Sequence, residues 1–176
     1  MLVECRDIDN SGYGLSVWND YVLVTPNLIP GEQAIVQIKH RSGSRWYSSI
    51  VTIIGQSDNR EIPQCKVFNE CGGCSLQHIS NEEQWFLKTK HIKDAFERIG
   101  GIGVELNNIF NQNYIKYAYR NKAIIPIKTD PTGKLVFGYY KRHSHNIIDL
   151  YECPVLDPRI NKFIPILKNE LQTLNL

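Results

Sequence analysis

The chain has 176 residues, a formal net charge of +2, and 42% hydrophobic and 22% charged residues, which leaves room for one domain or two small ones of ordinary globular composition. So small a net charge does not by itself suggest a nucleic-acid binder. The start, Met1-Leu-Val-Glu-Cys-Arg-Asp, carries an early acid and no apolar core of a signal peptide, and no apolar run approaches membrane-spanning length; a cytoplasmic protein with reduced thiols and no membrane partner is expected.

Residues 1–55 read as an all-β module. Val17 and Tyr21-Val-Leu-Val24 form one β-rich stretch, Ala34 to Lys39 alternates apolar and polar, and Tyr47 to Ile54 carries Ile50, Val51, Ile53 and Ile54. Turn chemistry separates them at Asn10-Ser-Gly12-Tyr-Gly14, Trp18-Asn-Asp20, Pro30-Gly31 and Arg41-Ser-Gly43-Ser. Short strands at close spacing predict a small barrel, and the Gly12-x-Gly14 pair is a turn rather than a dinucleotide fingerprint. Cys5 is expected to be a half-buried strand residue.

A polar linker, 56–63, ends at Pro63. The spacing then predicts a helix from Ser80 to Ile99, opened by a Ser80-x-x-Glu83 capping box and stopped by Gly100-Gly101. Trp85, Ile92, Phe96 and Ile99 fall on one apolar stripe of it, with Lys88, Lys90 and Lys93 elsewhere on its surface. Strands are expected again over Tyr117–Ile127, Leu135–Tyr140 and Asn146–Leu150, with Asp130-Pro-Thr-Gly133 as a hairpin turn. Pro158 to Leu176 reads as a helix with Asp157 at its N-cap and an apolar stripe of Ile160, Phe163, Ile164, Leu167, Leu171 and Leu174.

The cysteines carry the chemistry. Cys65, Cys71 and Cys74 lie in one stretch, Cys65-Lys-Val-Phe-Asn-Glu-Cys71-Gly-Gly-Cys74, and Cys153 precedes Pro154. A thiolate cage needs ligands converging on a small volume. Gly72 and Gly73 are expected to give the loop backbone angles that side chains forbid, turning amide N–H groups toward inorganic sulfur. Four thiolates also suit zinc, but structural zinc sites usually pair two short knuckles, whereas a trio with a remote cysteine-proline is closer in style to an iron–sulfur site. The spacing therefore favours a cluster over zinc, and zinc over disulfides.

Between Arg120 and Arg142 stand six basic residues, Arg120, Lys122, Lys128, Lys134, Lys141 and Arg142, against the single acid Asp130. Tyr117, Tyr119, Phe137, Tyr139 and Tyr140 are interleaved with them. Cations hold phosphates and exposed rings stack on bases, so Arg120, Lys122, Tyr139, Lys141 and Arg142 are candidate RNA contacts; a solvated sheet with core tyrosines is the plainer alternative. His143 and His145 are spaced to share a strand face, and a polar or RNA-facing role outweighs metal binding for them. Asp149 and Glu152 make no convincing acid–base pair.

These motifs together resemble the iron–sulfur branch of the S-adenosylmethionine-dependent RNA uracil-5-methyltransferases, of the 23S rRNA type. Gly12-Tyr-Gly14, Tyr21-Val-Leu-Val24 and Leu28-Ile-Pro30-Gly31-Glu32 resemble its TRAM domain, an OB-like RNA-binding barrel, over 1–55. The four cysteines, Tyr119-Arg120-Asn121-Lys122, and Ser144-His145 through Cys153-Pro154 resemble its central domain, over 56–176. The resemblance implies a mainly β (α+β) chain: a TRAM barrel, then an iron–sulfur domain with a capped helix and an antiparallel sheet. It also implies a 4Fe-4S cluster on Cys65, Cys71, Cys74 and Cys153, and an RNA partner, 23S rRNA.

In that family a cysteine thiolate adds to carbon 6 of uracil, and both this nucleophile and the S-adenosylmethionine site lie in a C-terminal Rossmann-like domain. No strand–glycine loop–helix unit follows residue 150 here, so that domain is read as absent, the central domain as cut short, and the Ser80–Ile99 helix as partly uncovered where the family's methyltransferase domain would lean on it. Cys5 has no base or cofactor pocket near it in sequence and is not expected to be the nucleophile. Two functions follow: the RNA-recruiting, cluster-bearing portion of a methyltransferase whose catalytic half is a separate chain or missing, or a stand-alone, non-catalytic RNA-binding metalloprotein.

Overall fold

The computed structural model describes residues 1–106 and 115–174. Two units emerge, Met1–Ile62 with Ser75–Gln112 and Pro63–Cys74 with Asn113–Leu176. The chain is mainly β with two helices, and one of its two sheets is mixed. Among the described residues no helix is long and apolar enough to cross a membrane.

In the first unit the strands are β1 (Leu2–Glu4), β2 (Asp7–Ile8), β3 (Gly14–Trp18), β4 (Tyr21–Thr25), β5 (Gln33–Ser42) and β6 (Arg45–Gly55). Their order is β1-β5-β6-β4-β3-β2, antiparallel except for the parallel β4–β6 pair. The two edge strands are consecutive in the chain. Cys5 N donates to Glu32 O (2.9 Å) and Arg6 N to Leu15 O (2.9 Å), so the first strand leaves β5 and joins β3 within two residues. The sheet thereby closes on itself, and edge N–H groups find partners.

Gly14 sits at that crossing. A Cβ there would lie 2.5 Å from Leu28 O and 2.8 Å from Cys5 Sγ, so no larger residue fits without displacing backbone. Cys5 is not half-buried as expected: it is 1% exposed, inside the core formed with Val3, Leu23, Leu28, Ala34 and Val36. Asn19 and Asp20 both have positive φ, which is the two-residue hairpin turn that matches strand twist.

Helix α1 (Asn81–Arg98) belongs to this first unit. Ser80 caps it by accepting from Glu83 N (3.3 Å). The reciprocal half of the capping box is replaced: Ser80 N donates to Asn59 O (2.8 Å), and Glu83 accepts from Asn59 Nδ2 (3.1 Å). The face that packs is Gln84 and Leu87, with Leu87 joining Ile8, Ile29 and Ile79 in a small core. Gln84 Nε2 donates to Leu76 O and Ile79 O, and His91 Nε2 meets Ile8 O at 2.9 Å. Ile92, Phe96 and Ile99 of the apolar stripe stay exposed, since hydrogen bonds on the mixed face fix the helix's rotation.

The second unit carries a three-stranded antiparallel sheet, β7 (Ile127–Thr129), β8 (Leu135–Tyr140) and β9 (Ile147–Asp149), and helix α2 (Pro158–Thr173). Asp130 closes the predicted hairpin by accepting from Thr132 N and Lys134 N, with Gly133 at φ +83°. The strand expected over Tyr117–Ile127 shrinks to its last residue. Ala118 has a positive φ, Pro126 has no N–H to give a ladder, and Ala118 N and Arg120 N donate instead to Pro154 O and Val155 O. Asp157 caps α2 through Arg159 N (2.8 Å) with Pro158 in the first turn. The helix ends at Thr173 with Leu174 as its C-cap; Asn175 and Leu176, also expected to be helical, lie outside the described residues. It buries Ile164 against Leu135, Phe137, Leu150, Val155 and Leu156, while Phe163 and Leu167 of its predicted stripe stay exposed.

Candidate metal centre and its surroundings

Cys65, Cys71, Cys74 and Cys153 all belong to the second unit, and all five cysteines are free thiols. Tight turns shape the cysteine loop: Phe68 N donates to Cys65 O (3.1 Å) and Cys71 N to Val67 O (2.8 Å). The loop is stitched to the end of β8 by Gly72 N to Tyr140 O (2.9 Å) and Arg142 N to Glu70 O (2.8 Å), which makes Cys71 and Lys141 an antiparallel bridge.

The glycines act differently from expectation. Neither Gly72 nor Gly73 has a positive φ. Their small size permits close approach, since a Cβ on Gly72 would stand 3.2 Å from Tyr140 O and one on Gly73 3.4 Å from Cys71 Sγ. One amide does turn to sulfur: Gly73 N–H points at Cys71 Sγ, 3.4 Å away.

Cys153 is fixed from the other side. Its N–H donates to Asn161 Oδ1 (2.8 Å), and Asn161 Nδ2 donates back to Cys153 O (2.9 Å). The thiol is buried in the unit's core, where Cys74 also packs. Asn161 was not singled out from the sequence; an asparagine in the first turns of a helix carries no signal that it will bracket a cysteine eight residues earlier.

Burial pushes the thiols of Cys65, Cys71 and Cys153 above the ordinary cysteine range. Their neighbours push the same way: Cys71, Cys153 and Cys74 act on Cys65, and Cys74 and Cys71 act on Cys153. Arg142 and Arg120 pull Cys71 back. The four sulfurs thus share one electrostatic neighbourhood, in which burial and mutual repulsion disfavour the thiolates of Cys65, Cys71 and Cys153. By contrast, burial drives the isolated Cys5 up to about 12, which makes it a poor nucleophile.

Among the described residues, no three His, Cys, Asp or Glu side chains surround a point that could take a single metal ion. A tetrahedral thiolate zinc, with Zn–S of about 2.3 Å, would hold its sulfurs only about 3.8 Å apart. A four-iron cluster gives each thiolate its own iron and asks for a wider gathering of the same four donors.

Arg142 is the other feature that sequence reading missed in kind. Its Nε donates to Cys71 O (2.9 Å) and its Nη2 to Phe68 O (3.1 Å) and Cys74 O (2.8 Å), with the guanidinium 5.0 Å from the Phe68 ring centroid. One side chain thereby pins three carbonyls of the cysteine loop. Beside it, an open cleft of about 520 Å³ is lined by Gly72, Gly73, Tyr139, Tyr140, Lys141 and His145, among others. Lys141 is exposed and pairs with Glu70 at 3.0 Å. Tyr139 is half-buried, its phenol pushed up by burial and then by Cys153. Burial opposes the charge of Arg120, but Tyr119 and Cys74 outweigh it and hold the guanidinium above its usual pKa. Lys122 is exposed and does not line the cleft. His143 and His145 occupy the turn after β8 rather than a strand face, and His145 meets Tyr140 edge-on at 6.1 Å.

No protein-family model matches the chain. It is 38% identical, over 99% of its length, to an uncharacterized RNA methyltransferase of Parasynechococcus marenigrum, and 37% identical, over 93% of its length, to one of Clostridium tetani. The chain spans 37% and 35% of the length of these relatives. Its fold resembles the crystal structure of Pyrococcus abyssi tRNA (uracil-54, C5)-methyltransferase in complex with S-adenosyl-L-homocysteine. The TM-score is 0.64 at 24% identity, covering 99% of this chain and 37% of that one.

Proposed function

We propose that this chain is the RNA-recognising N-terminal portion of an S-adenosylmethionine-dependent RNA uracil-5-methyltransferase acting on 23S rRNA in the cytoplasm. The observation that carries the reading is similarity over 99% of the chain to a protein named as an RNA methyltransferase. The uracil-5 and rRNA assignments rest on the motifs around Arg120-Asn121-Lys122 and from Ser144-His145 to Cys153-Pro154. Residues 1–55 serve as a TRAM barrel: with β1 and β2 counted as one bent strand, the closed sheet has the five strands of an OB fold. Residues 56–176 serve as the central domain, and the methyl donor binds elsewhere, in a C-terminal domain of the whole protein.

Cys65, Cys71, Cys74 and Cys153 would hold a 4Fe-4S cluster, supported by their shared neighbourhood and by the Gly73 amide aimed at Cys71 Sγ. When bound, the cluster supplies a four-point cross-link whose binding free energy is folding free energy. Arg142 keeps the loop carbonyls in place, Asn161 orients the Cys153 backbone, and the protein wall limits water at the sulfurs. Arg120, Lys122, Tyr139 and Lys141 would meet RNA at and beside the cleft.

Protein purified without oxygen should contain about four irons and four sulfides per chain and be brown. Serine at any of the four positions should remove that iron, whereas Cys5→Ser should keep it. Colourless protein with stoichiometric zinc refutes the cluster. The pure chain should form no 5-methyluridine in RNA; methylation by it alone would refute the assignment of catalysis to a further domain.

A further inference from the structure

The β5–β6 hairpin carries Lys39, His40, Arg41 and Arg45, and not one carboxylate between Gln33 and Gly55. Register brings aromatic residues to the same end of the barrel. Arg41 stands opposite Trp46 across β5–β6, and Trp18 opposite Tyr21 across β3–β4, while the parallel β4–β6 pair sets Trp46 beside Leu23. The Arg41 guanidinium lies 5.6 Å from the centroids of both Tyr21 and Trp46. Trp46 meets Trp18 edge-on at 6.3 Å and Tyr21 at 6.5 Å. Arg41 Nε donates to Gly43 O (3.0 Å), so the turn of the hairpin fixes the cation over the rings.

The cluster sits at the core's edge: Trp18 and Trp46 are half-buried, Trp46 packs against the barrel core, and the rest reaches the surface. Tyr21 is 45% exposed, flanked by Val17 and Val22 at 55% and 39%, and Arg41 is exposed. It is not a solvated polar face, because ordered rings with a clamped guanidinium offer flat apolar surface to water. Lys39 Nζ donates to the neutral Gln37 Oε1 (2.8 Å), and Arg45 stands 3.9 Å from Asp9, so both cations are available to an anion. Aromatic rings with a cation held over them, edged by further cations, match the chemistry of a single-stranded polynucleotide: bases stack and phosphates pair.

We propose that Trp18, Tyr21, Arg41 and Trp46 form a stacking platform for unpaired RNA bases, with Lys39 and Arg45 on the adjoining phosphates. The platform rests on the RNA reading above but uses none of the residues near the cysteine loop. It places a second RNA contact on the barrel, one that grips strand without reading sequence.

The chain's tryptophans make the test direct. There are three, and two of them, Trp18 and Trp46, are in the platform. In Trp85→Phe full-length protein at low salt, oligouridine should quench the remaining emission saturably, and duplex DNA should not. Tyr21→Ala and Arg41→Ala should each weaken oligouridine binding by about tenfold. Tyr21→Phe, which keeps the ring, should bind as the parent does, as should Ile54→Ser elsewhere on β6. Binding with no change in platform emission, or loss of affinity in Tyr21→Phe, would overturn the platform and leave RNA recognition to the cleft. Equal quenching by polyglutamate would overturn it as charge attraction without stacking. An absence of any RNA binding at low salt would overturn platform and RNA reading together.

Discussion

The two units solve the problem of buried polar groups in opposite ways. In the first, Glu32 is fully buried yet accepts from Arg60 Nη2 (2.7 Å) and from Ile29 N (3.1 Å), and Arg60 also donates to Asn27 O (2.7 Å). Its buried thiol, Cys5, stays neutral and donates to Asp7 O (3.3 Å). Around Glu32 the buried charge is satisfied by the unit's own side chains and backbone. In the second, buried and half-buried thiols face one another and raise each other's pKa, and the loop that carries three of them is held by backbone stitches and one arginine. The first unit's buried charge is neutralised within the unit; the second unit's buried thiols are met by one another and by two arginines.

Removing the partner of a buried charge should hit the self-sufficient unit hardest. Glu32→Ala leaves the Arg60 guanidinium, 18% exposed, without its carboxylate and should cost about 3–5 kcal/mol in a urea melt of the full chain. Iron content of the folded protein should not change. A loss below about 1 kcal/mol would mean that the pair behaves as a solvent-screened surface bridge, and the contrast between the units would fail.

In the second unit the corresponding lever is Arg142. Alanine there abandons three loop carbonyls and should cost about 2–3 kcal/mol, a sum limited by water reaching the half-exposed site. In metal-free protein trypsin should then cut faster after Lys66, on the released loop. Arg142→Lys should recover only part of the protection, because one ammonium cannot span three carbonyls as the guanidinium fork does. Unchanged cleavage after Lys66 in Arg142→Ala would show that the backbone stitches alone hold the loop.

Most of the architecture was legible in the sequence because local signals and tertiary demand agree: the Asn19-Asp20 turn, the Ser80 cap, the Asp130–Gly133 hairpin and the Asp157-Pro158 helix start each satisfy backbone groups within a few residues. What was not legible is set by distant partners. Tyr117–Ile127 has the composition of a strand, yet its amides are taken by Pro154 and Val155, more than thirty residues away. The α1 stripe has helical periodicity, yet Gln84 and His91 choose the buried face through carbonyls of other segments. For the site, spacing named Cys65, Cys71, Cys74 and Cys153, which all fall in the second unit. It could not show that Arg142 faces the loop's carbonyls, that Asn161 brackets Cys153, or that the hairpin's cations lie over rings. Side-chain targets across the sheet leave no periodic trace in one sequence.

The smallest expected effect separates binding from architecture within the basic stretch. Lys122 is exposed and is not among the residues lining the cleft beside Arg142, so its removal should leave stability unchanged. If it neutralises one phosphate, Lys122→Ala should flatten the salt dependence of oligouridine binding by about 0.7 in log–log slope. Arg120 differs, because its backbone is tied to Val155 and Asp157 and its guanidinium lies 6.0 Å from the Tyr119 ring, within the field of Cys71. Arg120→Ala should therefore flatten the slope by a similar amount and also lower the melting temperature of the second unit. Slope and stability then report different roles: a change in both marks a residue that binds and builds, and a change in slope alone marks one that only binds. An Arg120/Lys122 double variant with the parent's slope and affinity would remove this stretch from the RNA surface and assign that work to the barrel.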